Sequence, residues 1–353
     1  MNKTFLLAVF LSATFFLSGC SLDTSITQST GANLMPKATF IKTSDSGEIW
    51  EPKMKVDEKK SISSINVLAV AVDPFDPNIV YLGSEKNGIF VSRDGAETWS
   101  QIKFPEKVYG LALDHSARNV IYASGVFKGR GKIFKRTSEG SEWKEIYTEP
   151  ADGTVISSLA MDKFNANVLY AGTNEGVIFK TTDGGNTWNN IHKAEAPVTS
   201  IAFDSANSNV VYFGVFQRSL LKTSNGGVSV ENITSKISGL DGNQSVFSVT
   251  TDPRSAGTLY AGLGNGIAKS VNGGENWVNL NTLGSSRNFP VRVLAVNPQN
   301  SSELIYVAGK AIYKSTDGGV QWSTFQLDTA KDVGGIVYNR NNPSIIYAGL
   351  RNF

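Results

Sequence analysis

The sequence is poor in the residues that enzymes most often use for nucleophilic or metal chemistry. Its 353 residues hold one cysteine, Cys20, and two histidines, His115 and His192. A single thiol excludes a disulfide framework, and so small a set excludes a Cys/His zinc site and leaves a Ser-His-Asp triad little to draw on. Charge of one sign is also missing. With 33 basic and 31 acidic residues the formal charge is +2, which gives no electrostatic reason for nucleic-acid binding. No apolar run is long enough to cross a bilayer. The N-terminal one, Phe5 to Phe16, would rise only about 18 Å as a helix against a hydrocarbon core of about 30 Å.

What is present at the N-terminus is an export pattern: Lys3, the short apolar run, then small residues. It ends in Leu17-Ser18-Gly19-Cys20, which resembles the lipobox of bacterial lipoproteins. The resemblance implies that residues 1–19 are a signal peptide and that Cys20 becomes the acylated N-terminus. A membrane anchor of this kind implies an extracytoplasmic place in the cell envelope, and Ser21 in place of Asp implies the outer membrane if the host has one. Residues 20–38 have neither strand nor helical period and read as a tether.

The rest of the chain, 39–353, repeats one unit. A short apolar strand ending in tyrosine recurs at Tyr81, Tyr122, Tyr170, Tyr212, Tyr260, Tyr306 and Tyr347, every 41 to 48 residues. Before each comes another apolar strand and a turn rich in Asp, Asn and Pro, which reverses the chain. After each comes a third strand and an eight-residue motif, clearest in Thr181 to Trp188 and Ser315 to Trp322. That motif is similar to the Asp box, or BNR repeat, Ser/Thr-x-Asp-x-Gly-x-Thr-Trp. Asp45, Asp94, Asp183 and Asp317 hold its carboxylate position, Asn225 and Asn272 keep an acceptor without the charge, and Ser138 replaces it in a decayed copy. Trp50, Trp99, Trp143, Trp188, Trp277 and Trp322 close six of the copies, and Val230 stands in the other.

Four strands per repeat, named A to D in chain order, predict an all-β, seven-bladed propeller of antiparallel four-stranded blades. Six complete units run from about Ile65 to Phe325. Val333 to Gly349 then offers strands A and B with no box, while Thr39 to Trp50 offers strand C and a box with no A or B. The two ends are expected to complete one blade, a Velcro closure that removes open edges and leaves a monomeric ring.

The box chemistry predicts scaffold. Each Asp should accept hydrogen bonds from its own tight turn, and one carboxylate per turn is too few ligands for a dedicated calcium site. No metal and no cofactor is expected. All six tryptophans are committed to the boxes, which leaves none for stacking on a sugar. His115 in an A–B turn and His192 in a D–A connection fall on opposite faces. Ligands are then sought on the face made by the B–C and D–A loops. There the B–C loops carry Lys86, Lys128, Arg130, Lys132, Arg218, Lys310 and Arg351 against Glu85 and Glu175. The segment Val126 to Lys132 reads as a long recognition loop with an exposed Phe127.

The repeat resembles three kinds of Asp-box protein. Sialidases are disfavoured because their Phe/Tyr-Arg-Ile-Pro segment is matched only by Arg287-Asn288-Phe289-Pro290, in the wrong order and late in the chain. Xyloglucan-cleaving glycosidases typically join two rings, and the carboxylates available on the loop face, Glu85, Glu149, Asp152, Glu175, Glu195 and Asp241, cannot be paired from sequence. A single exported ring is most similar to the photosystem II stability and assembly factors, and more distantly to sortilin-type receptors, which implies a protein or peptide partner. The expectation is therefore a non-enzymatic binding propeller, with a carbohydrate-active one as the alternative.

Overall fold

A computed structural model of the chain describes residues 35, 37–104, 107–237, 245–283 and 290–352. Cys20, Glu106, Asp241 and Arg287 lie outside them. Within the described residues there are seven antiparallel four-stranded sheets, and the only helix is a single 3₁₀ turn, Thr234–Lys236. In the first blade strand A is Val67–Val72, B is Val80–Ser84, C is Ile89–Ser92 and D is Ser100–Ile102, hydrogen-bonded in that order. The other A strands are Lys107–Leu113, Ile156–Met161, Val198–Phe203, Val246–Thr251, Val293–Asn297 and Asp332–Tyr338. Each packs against the A strand of the next blade, and the seventh packs against the first, which closes the ring with strand A innermost.

The closing blade is built as expected from both ends of the chain. Its sheet runs Asp332–Tyr338, Ile346–Arg351, Phe40–Thr43, Glu51–Pro52 from A to D. The joint is antiparallel, with Phe40 opposite Gly349 and Thr43 opposite Ile346. Phe40 is fully buried and meets the Trp99 ring edge-on at 4.9 Å, so the closure also reaches into the first blade.

Two features of the repeat explain why blades pack so closely. The seven tyrosines of strand B are all at most 1% exposed. Two residues after the tyrosine, a glycine lets the next blade approach: a Cβ on Gly83, Gly172, Gly262 or Gly349 would come within 2.3 to 2.6 Å of Val108, Val198, Val291 or Val67, the residue at or near the start of the next A strand.

A second device lies at the seams and is not evident from motif reading. The lysine before the box is aligned across strands with the tyrosine in several blades, as in Tyr122 with Lys135 and Tyr170 with Lys180. Its ammonium covers that ring, at 4.9 Å for Lys135 and 5.6 Å for Lys180. It also donates to a backbone carbonyl in the box of the next blade: Lys180 to Gly226 at 2.6 Å, Lys314 to Ser46 at 2.6 Å and Lys42 to Gly95 at 2.8 Å. A cation held between a π-face and a carbonyl dipole is a directional link between rigid sheets.

Candidate ligand-binding face

The box face spends its polar groups on its own backbone. In the best-formed copy Asp183 accepts from the Thr187 N–H at 2.9 Å, the Thr187 hydroxyl at 2.7 Å and the Thr181 hydroxyl at 2.8 Å. These hydrogen bonds, the Thr187 side chain first, hold its pKa at about 2. Asn225 and Asn272 accept the equivalent backbone N–H, from Ser229 and Asn276, each at 2.9 Å. The decayed copy is held differently: Arg136 replaces the first hydroxyl and lies 5.3 Å over the Trp143 ring. The A–B turns on the same face repeat the theme. Asp73, Asp114, Asp162, Asp204, Asp252, Asn297 and Asn339 each accept the N–H two residues on, at 2.7 to 3.0 Å. One such turn per blade marks this face as scaffold.

The loop face differs from blade to blade. Lys86, Lys128, Arg130, Arg218 and Lys310 are exposed there, while Lys132 and Arg351 are half-buried. Arg130 pairs with Asp152 at 2.6 Å and Lys132 with Glu145 at 2.6 Å, both carboxylates lying outside the B–C loops. Lys310 donates to the Thr329 carbonyl at 2.9 Å. The seven-to-two charge bias read from the B–C loops alone is therefore partly offset by neighbouring D strands and D–A loops.

The segment Val126 to Lys132 needs correcting. It is not a loop but the end of an extended hairpin, Ile121–Phe127 with Arg130–Arg136, turned by Lys128 and Gly129 with φ of 52° and 80°. A two-residue turn with both φ positive matches the strand twist, so the strands continue into what the sequence suggested was irregular. Phe127 is not freely exposed either. It meets the Phe134 ring edge-on at 6.3 Å, with the Lys128 and Lys132 ammoniums 5.4 and 5.5 Å from its centroid. His192 likewise belongs to strand D, Asn189–Lys193, paired with Ile178, because the D strand of that blade is longer than its motif suggests.

A further group on this face was missed. A buried Val or Ile lies at or within two residues of the start of every A strand, at Val67, Val108, Ile156, Val198, Val246, Val291 and Val333. The next residue is Leu68, Tyr109, Ser157, Thr199, Phe247, Arg292 and Gly334 in turn. In six blades the strand bulges at this residue, which has no partner in the register with strand B. Bulges re-aim side chains, and in those six blades one variable residue is turned out of the strand pairing at the loop-face end of strand A, while Arg292 stands just before its strand. Arg292 lies 5.3 Å over the Phe247 ring and 5.8 Å over that of Phe216, and the two rings meet edge-on at 5.5 Å. Arg351 passes over Gly334, where a Cβ would fall 2.9 Å from its Cδ. Burial lowers the pKa of both arginines. The charge of Arg292 lowers Arg351 further, while Asp332 opposes the shift of Arg292. The signal was in the repeat alignment, as one unlike residue beside a constant apolar column.

Among the described residues, four loop-face carboxylates are engaged by neighbouring groups. Glu85 accepts from Asn66 at 2.7 Å, Glu149 from the Tyr147 hydroxyl at 2.8 Å and Glu175 from Asn174 at 3.4 Å, and Asp152 is taken by Arg130. Among the described residues no group of three or more His, Cys, Asp or Glu could hold a metal ion.

Fold and repeat together define a seven-bladed β-propeller of Asp-box units. No family model matches the chain. Xyloglucanase Xgh74A of Acetivibrio thermocellus is 27% identical over 188 residues, which is 41% of this chain and 22% of that protein. A Paenibacillus xyloglucanase is 26% identical over 164 residues, 35% of this chain and 16% of that protein. The chain thus spans about a fifth of the length of these relatives. Among solved structures, the GH74 xyloglucanase of Xanthomonas campestris superposes with a TM-score of 0.68 at 15% identity, covering 81% of this chain and 51% of that one. YCF48 bound to D1 peptide superposes with a TM-score of 0.62 at 16% identity, covering 85% of this chain and 98% of that one. At these identities the structures bear on the fold alone.

Proposed function

We propose that this chain is a cell-envelope lipoprotein whose propeller binds a segment of another protein, without catalysis, on its loop face. The observation that carries the reading is the contrast between faces. The box face repeats one hydrogen-bonded turn design in every blade, whereas the loop face varies residue by residue and gathers exposed cations. Lys128, Arg130 and Arg218 are the leading contacts, suited to an acidic segment through charge steering. A neighbour of nearly the same length, YCF48, is seen with a peptide.

Acylation of Cys20 fits the place where the chain joins the ring. The Met35 N–H donates to the Asp328 carbonyl at 3.0 Å, in the connection between the sixth and seventh blades on the loop face. Cys20→Ser should release the protein from membranes; palmitate labelling equal in wild type and variant would contradict the anchor.

The sequence relatives favour a second reading, a carbohydrate-active propeller, because both are xyloglucanases. A hydrolysis screen on xyloglucan oligosaccharides tests it. Turnover that disappears on changing one loop-face carboxylate would establish that reading and displace the first.

A further inference from the structure

We propose that the seam between the first and second blades holds a small inorganic anion, of the size of chloride, on the Nε/Nη2 edge of Arg136. The site belongs to the decayed box, on the face opposite the proposed protein-binding surface, and it stands or falls independently of that surface.

The first ground is the guanidinium itself. Arg136 is 4% exposed, and its Nε and Nη2 are buried with no hydrogen-bond partner in the protein. Those two N–H groups leave one edge of a planar fork in parallel, which is the edge that takes an anion side-on. Two unmet charged donors in an apolar setting are costly, and one spherical ion accepts from both. The acids of the same turn do not fill that place: Glu139 pairs with Arg93 of the preceding box, and Glu142 is exposed. The guanidinium lies 5.3 Å over the Trp143 ring, whose indole N–H is also buried without an acceptor. Trp188 shares that last feature, so the arginine edge is what sets this box apart. Burial lowers the Arg136 pKa and Tyr81 and Glu139 oppose the shift, yet an arginine stays charged, so the seam encloses a cation.

The second ground is the repeat. In the other six boxes the first hydroxyl donates to the acceptor two residues on, at 2.6 to 3.1 Å. Here those places are Arg136 and Ser138, so a cation enters the one turn that has lost its carboxylate or amide. The lysine before the box tells the same story. It is present as Lys42, Lys135, Lys180, Lys222, Lys269 and Lys314, but the first blade has Val91, aligned with Tyr81. Tyr81 and Trp143 pack in one apolar cluster, so the seam that lacks its lysine is the seam into which the next blade sends an arginine. Lys42, Lys180 and Lys314 each end on a carbonyl across their seam. Arg136 approaches from the other side, where its edge meets no carbonyl, and an anion supplies the missing acceptor. Because both donors are shut off from solvent, a monatomic ion fits where sulfate or a partner's carboxylate would not.

The test is thermal melting of the full chain in sodium chloride, bromide or gluconate at one ionic strength, with crystals grown in bromide as the second measurement. Wild type should melt at least about 2 °C higher in either halide than in gluconate, and the gain should saturate as halide replaces gluconate. R136Q should lose the difference. V91K combined with R136S rebuilds this seam on the pattern of the other blades and should fold without a halide response. Should the variants fail to fold, the wild-type crystals decide, with an anomalous bromide peak expected on the Nε/Nη2 edge of Arg136. Equal melting in halide and gluconate would overturn the site, and a bromide peak seen alongside it would be an adventitious ion only. A halide response kept by folded R136Q or by the double variant, or a water alone on that edge in bromide, would overturn it as well.

Discussion

The ammonium of Lys42 lies 2.8 Å from the carbonyl oxygen of Gly95, 53 residues away in the box of the next blade. It also pairs with Glu97 at 2.9 Å, and Lys53 pairs with the other oxygen of that carboxylate at 2.8 Å. Burial alone would raise the Glu97 pKa, but the hydrogen bonds from Lys53 and Lys42 hold it below its ordinary value. The closing blade is thus tied to the first through the scaffold face. Lys42→Met should lower stability by about 1 to 2 kcal/mol, because a partly buried charged donor is lost while Glu97 remains solvated. An unchanged midpoint in urea would show that the seam lysine is incidental.

The box carboxylates predict an acid dependence. Asp183 has its folded pKa depressed to about 2 from 3.8, so its contribution is present above the unfolded value and is lost as pH falls from about 4 toward 2. Asp45, Asp94 and Asp317 are shifted in the same direction. Asp183→Asn keeps the acceptor, as Asn225 and Asn272 do naturally, and should flatten the loss of stability over that window. Parallel pH profiles for wild type and variant would refute the assignment.

Closure gives a larger effect. Trp99 is 1% exposed, donates to the Lys53 carbonyl at 2.9 Å and packs on Phe40. Trp99→Ala should cost about 3 to 5 kcal/mol. Removing Val333 to Phe353 strips strands A and B from the closing blade and should give an early-melting, self-associating protein. A truncated chain that stayed monomeric with the wild-type melting temperature would contradict the closed ring.

The ring was legible because its determinants are local and repeated. Tyr, Gly, Asp and Trp at fixed offsets each report a strand, a close approach or a turn, and seven copies reinforce one another. The offset partial units at Thr39 to Trp50 and Val333 to Gly349 disclosed the closure for the same reason. The loop face was only half legible. Lys128, Arg130 and Arg218 could be placed in the B–C connections, but Asp152 and Glu145 come from other elements, and their pairing with Arg130 and Lys132 depends on side-chain reach across the blade. Arg292 escaped notice because it stands just before its strand and its ring contacts, Phe216 and Phe247, come from other blades. The lysines at the seams escaped because their partners are carbonyls, which have no letter in the sequence.

The central claim, that the loop face holds a protein partner, is tested most directly by crosslinking capture from membranes. Wild type and the Lys128, Arg130, Arg218 triple alanine variant would be compared at matched expression and melting temperature. The account predicts a partner enriched by wild type, depleted at least about tenfold in the variant, and lost from wild type as salt is raised. Equal recovery by both proteins would contradict it.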